Sequence, residues 1–190
     1  MTMRASTLVV GLGNPILGDD GVGWRVAREI ETRLAGSNTD SDPSSDVDVA
    51  CLALGGVALM ERLVGYRRAI IIDAMTTGAA PGTVLCVPLE KLPNPAAGHT
   101  ASSHDTSFAT ALSLGRKLGA ALPNEVWVVA VEAERLYEFS AGLSPAVAAA
   151  VPAAVCCVED WLADAPETHE RMMISAAQRY VTRQTSRGSG

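Results

Sequence analysis

The chain has 190 residues, 48% hydrophobic and only 4% aromatic, with a formal net charge of -6 and a pI near 5.0. That length suits one domain whose core is Val, Leu, Ile and Ala. The acidic balance weighs against a nucleic-acid partner, no apolar run approaches the ~18 residues of a membrane span, and Met1 to Ser6 lacks the apolar stretch of a signal peptide.

The first element expected is a buried strand, Thr7 to Val10. It runs into Gly11-Leu12-Gly13-Asn14-Pro15-Ile16-Leu17-Gly18-Asp19-Asp20-Gly21-Val22-Gly23, where glycines signal tight turns or close backbone approach. A dinucleotide fingerprint would need a third glycine at Ile16, and no Lys-Ser or Lys-Thr follows for a phosphate loop. A helix from about Gly21 to Gly36 places Gly23, Val26, Ala27, Ile30 and Leu34 on one side. Residues 36–46, rich in Ser, Asp and Asn, read as a solvated loop. Val47 to Leu54 reads as a second strand and Val57 to Val64 as a short helix.

Ala69-Ile70-Ile71-Ile72 is the strongest buried-strand signal, expected to end on Asp73. Pro81-Gly82 turns into a strand over Thr83 to Val87, and Leu89 to Ser103 reads as a long irregular loop of the kind that often carries function. A helix over Asp105 to Leu118, a strand over Glu125 to Val131 and a helix from Pro145 to about Ala163 complete the pattern. Alternating strands and helices predict an α/β fold: a single-domain, three-layer α/β/α sandwich with a mostly parallel central sheet. The domain is expected over residues 1–165. Residues 166–190 form an extension, partly helical and then disordered. The four cysteines make no C-x-x-C pair and read as buried thiols of a reducing, cytoplasmic compartment.

Asp19 and Asp20 sit where acids commonly cap helices, Asp73 where an Asp often turns on its own backbone, and His104 just ahead of a helix. Singly, each has a structural explanation. Together, the segments after parallel strands converge on one sheet edge. Asp20, Asp73 and His104 there would form a mixed oxygen and nitrogen set suited to a divalent transition metal. No G-x-S-x-G elbow and no loop cysteine beside a histidine is present, so carboxylate-driven or metal-assisted hydrolysis is the better chemistry.

With these residues in view, the chain resembles the hydrogenase maturation endopeptidases over roughly residues 7–163. The resemblance rests on four blocks in order: Gly11-Leu12-Gly13-Asn14 with Asp19-Asp20; Ile71-Ile72-Asp73-Ala74 with Pro81-Gly82-Thr83; Ser103-His104; and Glu132 with Gly142-Leu143-Ser144-Pro145. It implies a phosphorylase/hydrolase-like fold and an endopeptidase, aspartyl-type or metal-dependent, that removes a C-terminal peptide from the large-subunit precursor of a nickel-iron hydrogenase. It further implies that Asp20, Asp73 and His104 recognise nickel already bound in the precursor. Asp20 and Asp73 would be catalytic, Asn14, Gly55 and Gly56 would contact substrate, and the protein would act as a cytoplasmic monomer. The sequence departs from the family at Asp20, where Glu is common, and at Leu54 and Val57, which replace polar residues around the Gly55-Gly56 pair. Two alternatives stand beside this reading. Peptidyl-tRNA hydrolases share Gly-Leu-Gly-Asn-Pro, but the histidine they need soon after it is missing here. A non-catalytic nickel-binding chaperone could present the same three residues.

Overall fold

The computed structural model describes residues 6–36, 46–92, 108–134, 136, 139–140 and 142–163. Five strands form one sheet: β1 (Thr7–Leu12), β2 (Val47–Leu52), β3 (Arg68–Met75), β4 (Val84–Pro88) and β5 (Glu125–Glu132), in the order β2-β1-β3-β5-β4. Four are parallel neighbours, and β4 runs antiparallel to β5 at the edge. Pro88 closes that edge strand, where a missing N–H costs no ladder bond.

Alternation along the strands builds two cores. Val9, Ile70, Ile72, Val129 and Val131 face α1 (Val22–Gly36) and α4 (Pro145–Leu162). Leu8, Val10, Leu12, Ala69 and Ile71 face α2 (Gly56–Leu63) and α3 (Phe108–Lys117). Both faces of β1 and β3 are covered, which is why these strands read as continuous apolar runs rather than alternating ones. The expected three-layer sandwich is what forms. On α1, Val26, Ala27 and Ile30 are fully enclosed, as the helical spacing predicted.

Three expectations need correction. β3 does not stop at Asp73 but continues to Met75, because β5 supplies paired backbone as far as Glu132. The cysteines are not uniformly buried: Cys86 is, Cys51 and Cys157 are half-buried, and Cys156 is exposed. Finally, α4 has 18 residues and a mean hydropathy of 1.4, long and apolar enough to cross a membrane. Here it is a core helix that buries Val147, Ala150, Ala154, Val155, Val158 and Trp161. Residues 37–45, most of the loop after Leu92 and the extension 166–190 lie outside the described residues, as does the expected helix start at Asp105.

The two ends of the sheet are held differently. At the end where β3 begins, the Arg68 guanidinium lies 3.9 Å from the Trp161 ring centroid and donates to the Trp161 carbonyl at 2.6 Å. A cation over a desolvated indole contributes about 2 kcal/mol, and this bolt fixes the last turn of α4. Trp161→Ala should therefore lose both the ring contact and a fully buried side chain, costing about 3–5 kcal/mol. The measurement is chemical denaturation, with a lowered midpoint at unchanged slope.

Candidate active site

The order of the sheet reverses direction between β1 and β3, and ligands of such sheets bind where the carboxyl ends of those two strands diverge. Asp20 follows β1 and Asp73 lies near the end of β3. The glycine-rich segment between β1 and α1 holds Asp20 there. Gly13 has φ +117°, and a Cβ on it would stand 1.8 Å from the Asp20 carbonyl oxygen. The chain then folds back through a 3-10 turn (Gly18–Gly21), all four residues of it buried. Gly23 admits the first turn of α1 against both strands: a Cβ on it would lie 2.3 Å from the Leu12 carbonyl oxygen and 2.4 Å from that of Ile72. Ile72 directly precedes Asp73. The helix that begins just after Asp20 thus rests on the residue that precedes Asp73.

The acids are almost wholly buried, with 1% exposure at Asp19 and Asp20, 5% at Asp73 and 4% at Glu132. Each takes a backbone N–H. Asp20 Oδ2 accepts from Asn14 N at 2.7 Å, and Asp73 Oδ1 from Ala74 N at 2.9 Å. Asp19 Oδ1 accepts from Ser144 N at 2.6 Å, so Asp19 caps the distant helix α4. The expectation that this acid serves the helix beside it is corrected by that bond. Two backbone bonds, Gly18 N to Ser140 O at 3.1 Å and Ser140 N to Ile16 O at 3.2 Å, complete the staple between the glycine-rich loop and the approach to α4.

Glu132, at the end of β5, does for the loop after β3 what Asp19 does for the loop after β1. Its Oε1 accepts from the backbone N–H of Thr77 at 2.7 Å and of Gly78 at 2.8 Å, and its Oε2 from the Thr77 hydroxyl at 2.7 Å. Its own backbone pairs with Gly82 and Thr83, closing the loop. Gly82, with φ +80°, sets that loop 2.5 Å (for a Cβ placed there) from the Ala146 carbonyl in the first turn of α4. Sequence reasoning placed Glu132 in a matching block without a role; a glutamate closing the apolar run Val126 to Val131 was the available signal.

Asn14 donates its N–H to Asp20, and its side-chain oxygen accepts from Ile16 N at 3.2 Å. Gly55 is the N-cap of α2, in extended conformation, and Gly56 has φ +51°. Both follow β2, whose last carbonyl, Leu52, accepts from Gly13 N at 3.2 Å and Trp24 Nε1 at 3.1 Å. His104 lies outside the described residues. Among the described residues no three His, Cys, Asp or Glu side chains cluster in a metal-binding group.

The family profile for hydrogenase maturation proteases (HycI) matches residues 25–161. The chain belongs to the hydrogenase maturation proteases. Among curated relatives, it is 26% identical over 156 residues to the hydrogenase expression/formation protein HupD of Thiocapsa roseopersicina, covering 82% of this chain and 67% of that one. It is 27% identical over 171 residues to HoxM of Azotobacter vinelandii, covering 90% and 76%. Among solved structures, the hydrogenase maturating endopeptidase HybD from E. coli is 26% identical, with a TM-score of 0.61 over 82% of this chain and 90% of that one. A hydrogenase 2 maturation peptidase from a Thaumarchaeota archaeon is 28% identical, with a TM-score of 0.57 over 82% and 97%. Membership displaces the peptidyl-tRNA hydrolase alternative and makes the chain a peptidase.

Two thiols of this protease, Cys51 and Cys86, are poorly set up as nucleophiles. Burial pushes the Cys51 thiol up, and a hydrogen bond with Cys157, aided by burial, pushes the Cys86 thiol up strongly. A thiolate nucleophile requires the opposite shift. Cys51→Ser should therefore retain proteolysis within about twofold, read by precursor cleavage. Glu132→Ala should behave differently, because it removes both the oxygen that accepts from the amides of Thr77 and Gly78 and the one that accepts from the Thr77 hydroxyl. Hydrogen bonds to charged groups contribute about 1.5–3 kcal/mol each. Amide hydrogen exchange at Thr77 and Gly78 should accelerate at least tenfold, while exchange in β1 stays slow.

Proposed function

We propose that this protease removes the C-terminal peptide of a nickel-iron hydrogenase large-subunit precursor once nickel has been inserted. In this reading Asp20, Asp73 and His104 meet the nickel that the precursor carries. The observation that supports it is the placement of two buried carboxylates, Asp20 and Asp73, at the divergence of β1 and β3. Carboxylates are hard oxygen donors, and a histidine nitrogen beside them would suit a borderline divalent ion. The metal is part of the substrate, so a precursor lacking it would dock without its anchor.

Peptide hydrolysis then needs a water whose proton can be taken and returned. A carboxylate at this edge accepts the proton as the oxygen adds to the scissile carbonyl. The same proton passes to the departing amine as the C–N bond breaks. Such general-base assistance contributes about 10²–10⁴-fold. Asn14, Gly55 and Gly56 sit at the same edge, where their backbone can border the substrate chain. The enzyme works in this reading as a cytoplasmic monomer. A nickel-binding chaperone would share the docking step but not the bond cleavage.

The test incubates the protein with nickel-free and nickel-loaded precursor and reads the C-terminal mass. Cleavage of the loaded form alone is expected. Asp73→Asn, nearly isosteric but uncharged, and His104→Ala should each lower cleavage by at least about 100-fold with an unchanged circular dichroism spectrum. Asp20→Glu keeps the charge and should retain much of the activity. Full activity in Asp73→Asn or His104→Ala would overturn the nickel-recognition reading. A folded wild type that binds loaded precursor without shortening it would favour the chaperone.

A further inference from the structure

A groove of about 760 Å³ runs between α1 and α4. Its mouth is formed by Pro15, Gly18 and Gly21, the loop that carries Asp19 and Asp20, and by Gly142 and Leu143, which precede the Ser144 amide held by Asp19. From there it follows α1 to Arg33. That end is closed by the Arg33 guanidinium, which bridges Glu29 at 3.2 Å and Glu159 of α4 at 2.9 Å. From Val22 to Arg33 the helix rises about 16 Å at ~1.5 Å per residue, room for about five residues of extended chain at ~3.3 Å each.

The two walls differ in chemistry. The α4 wall presents Ala148, Val151 and Pro152. Pro152 lies inside the helix and carries no N–H, so this wall is apolar. The α1 wall presents three arginines. Arg33 is taken up by Glu29, which shares this wall, and by Glu159, while Arg25 and Arg28 are exposed, with the Arg28 guanidinium beside the Cys51 thiol and 5.6 Å from the Trp24 ring centroid. On a protein of net charge -6, a trough lined by two such guanidinium groups is a local reversal of sign. It selects an anionic, extended chain.

The geometry points to the α1–α4 groove as the docking site for the carboxylate-bearing peptide that follows the scissile bond, a proposal that rests on the protease reading above. The part of a precursor that precedes the cut continues into the large subunit, so only the part that follows has a free end to lay along the groove. The part that follows ends in a free α-carboxylate, the anion that Arg25 and Arg28 are placed to receive. Its side chains lie against Ala148, Val151 and Pro152, and its first residue lies beside the Asp19-Asp20 loop. The groove thus sets which bond reaches the acids by holding the chain beyond it.

The test compares the wild type with the double variant Arg25→Glu/Arg28→Glu on nickel-loaded precursor, separating KM from kcat. The double variant should raise KM about tenfold with kcat within about twofold, and its KM should lose the rise with ionic strength that the wild type shows. Lys117→Glu, at the end of α3, should change neither. In parallel, a fluorescent synthetic copy of the precursor's C-terminal peptide is titrated by anisotropy. Amidating its carboxyl groups should weaken binding to the wild type and leave the double variant unaffected. A wild-type KM in the folded double variant overturns the proposal. So does a dimer by light scattering that the double substitution dissociates, since a second copy would then cover the groove. If the wild type binds the peptide through Arg25 and Arg28 but leaves the precursor uncut, the protease reading falls and the groove stands. Cleavage indifferent to both arginines gives the reverse.

Discussion

The site depends on how closely the first turn of α1 can approach the ends of β1 and β3. Gly11 and Gly23 face each other across that contact: a Cβ on Gly11 would lie 2.3 Å from the Gly23 carbonyl oxygen, and one on Gly23 as close to that of Leu12. Real side chains do not tolerate such distances, so a methyl at either place must push the helix outward. The loop that carries Asp19 and Asp20 is covalently continuous with that helix. Bonds of 2.6 and 2.7 Å to Ser144 and Asn14 leave it little slack, because hydrogen bonds weaken quickly beyond ~3.2 Å. Glycine at these positions is therefore positional information: it sets where the carboxylates stand.

Much of the architecture was legible in the amino-acid sequence because its signals are local. Ile70 to Ile72 announce a buried strand by β-branching, and Val26, Ala27 and Ile30 announce a helix face by spacing. What was not legible depends on partners distant in sequence. β3 outruns Asp73 because β5, more than fifty residues later, pairs with it to Met75. β4 leaves β3 through Pro81-Gly82 and pairs with β5 instead, a choice no window around residue 84 contains. Asp19 looks like a cap for its own helix, yet its bond goes to Ser144. Asp20 and Asp73 were readable as edge residues from strand order alone. Glu132 had no visible role until the loop after β3 closed on it.

Two ends of one sheet carry opposite duties. Where β3 begins, Arg68 and Trp161 join strand to helix through a buried side-chain contact. Where β3 ends, the contacts are made by backbone: glycines let main chain meet main chain, and carboxylates take N–H groups of Asn14, Ala74, Thr77, Gly78 and Ser144. An amide carries no formal charge, so these bonds pair the carboxylates without bringing a cationic side chain to that edge.

The same logic connects the acids to the groove beside them. Asp19 binds the N-cap residue of α4, Ser144, and α4 forms one wall of the groove while α1 forms the other. Any chain lying between the helices therefore presses on both elements to which the acidic loop is tied. A peptide too bulky for the trough would spread α1 from α4 and strain the Asp19–Ser144 bond before it reached Asp20. The loop is anchored on both walls, so fit in the groove and geometry at the acids are one mechanical question. In the reading proposed above, a chain that fits the groove badly would be discriminated against because it displaces a loop already tied to both helices.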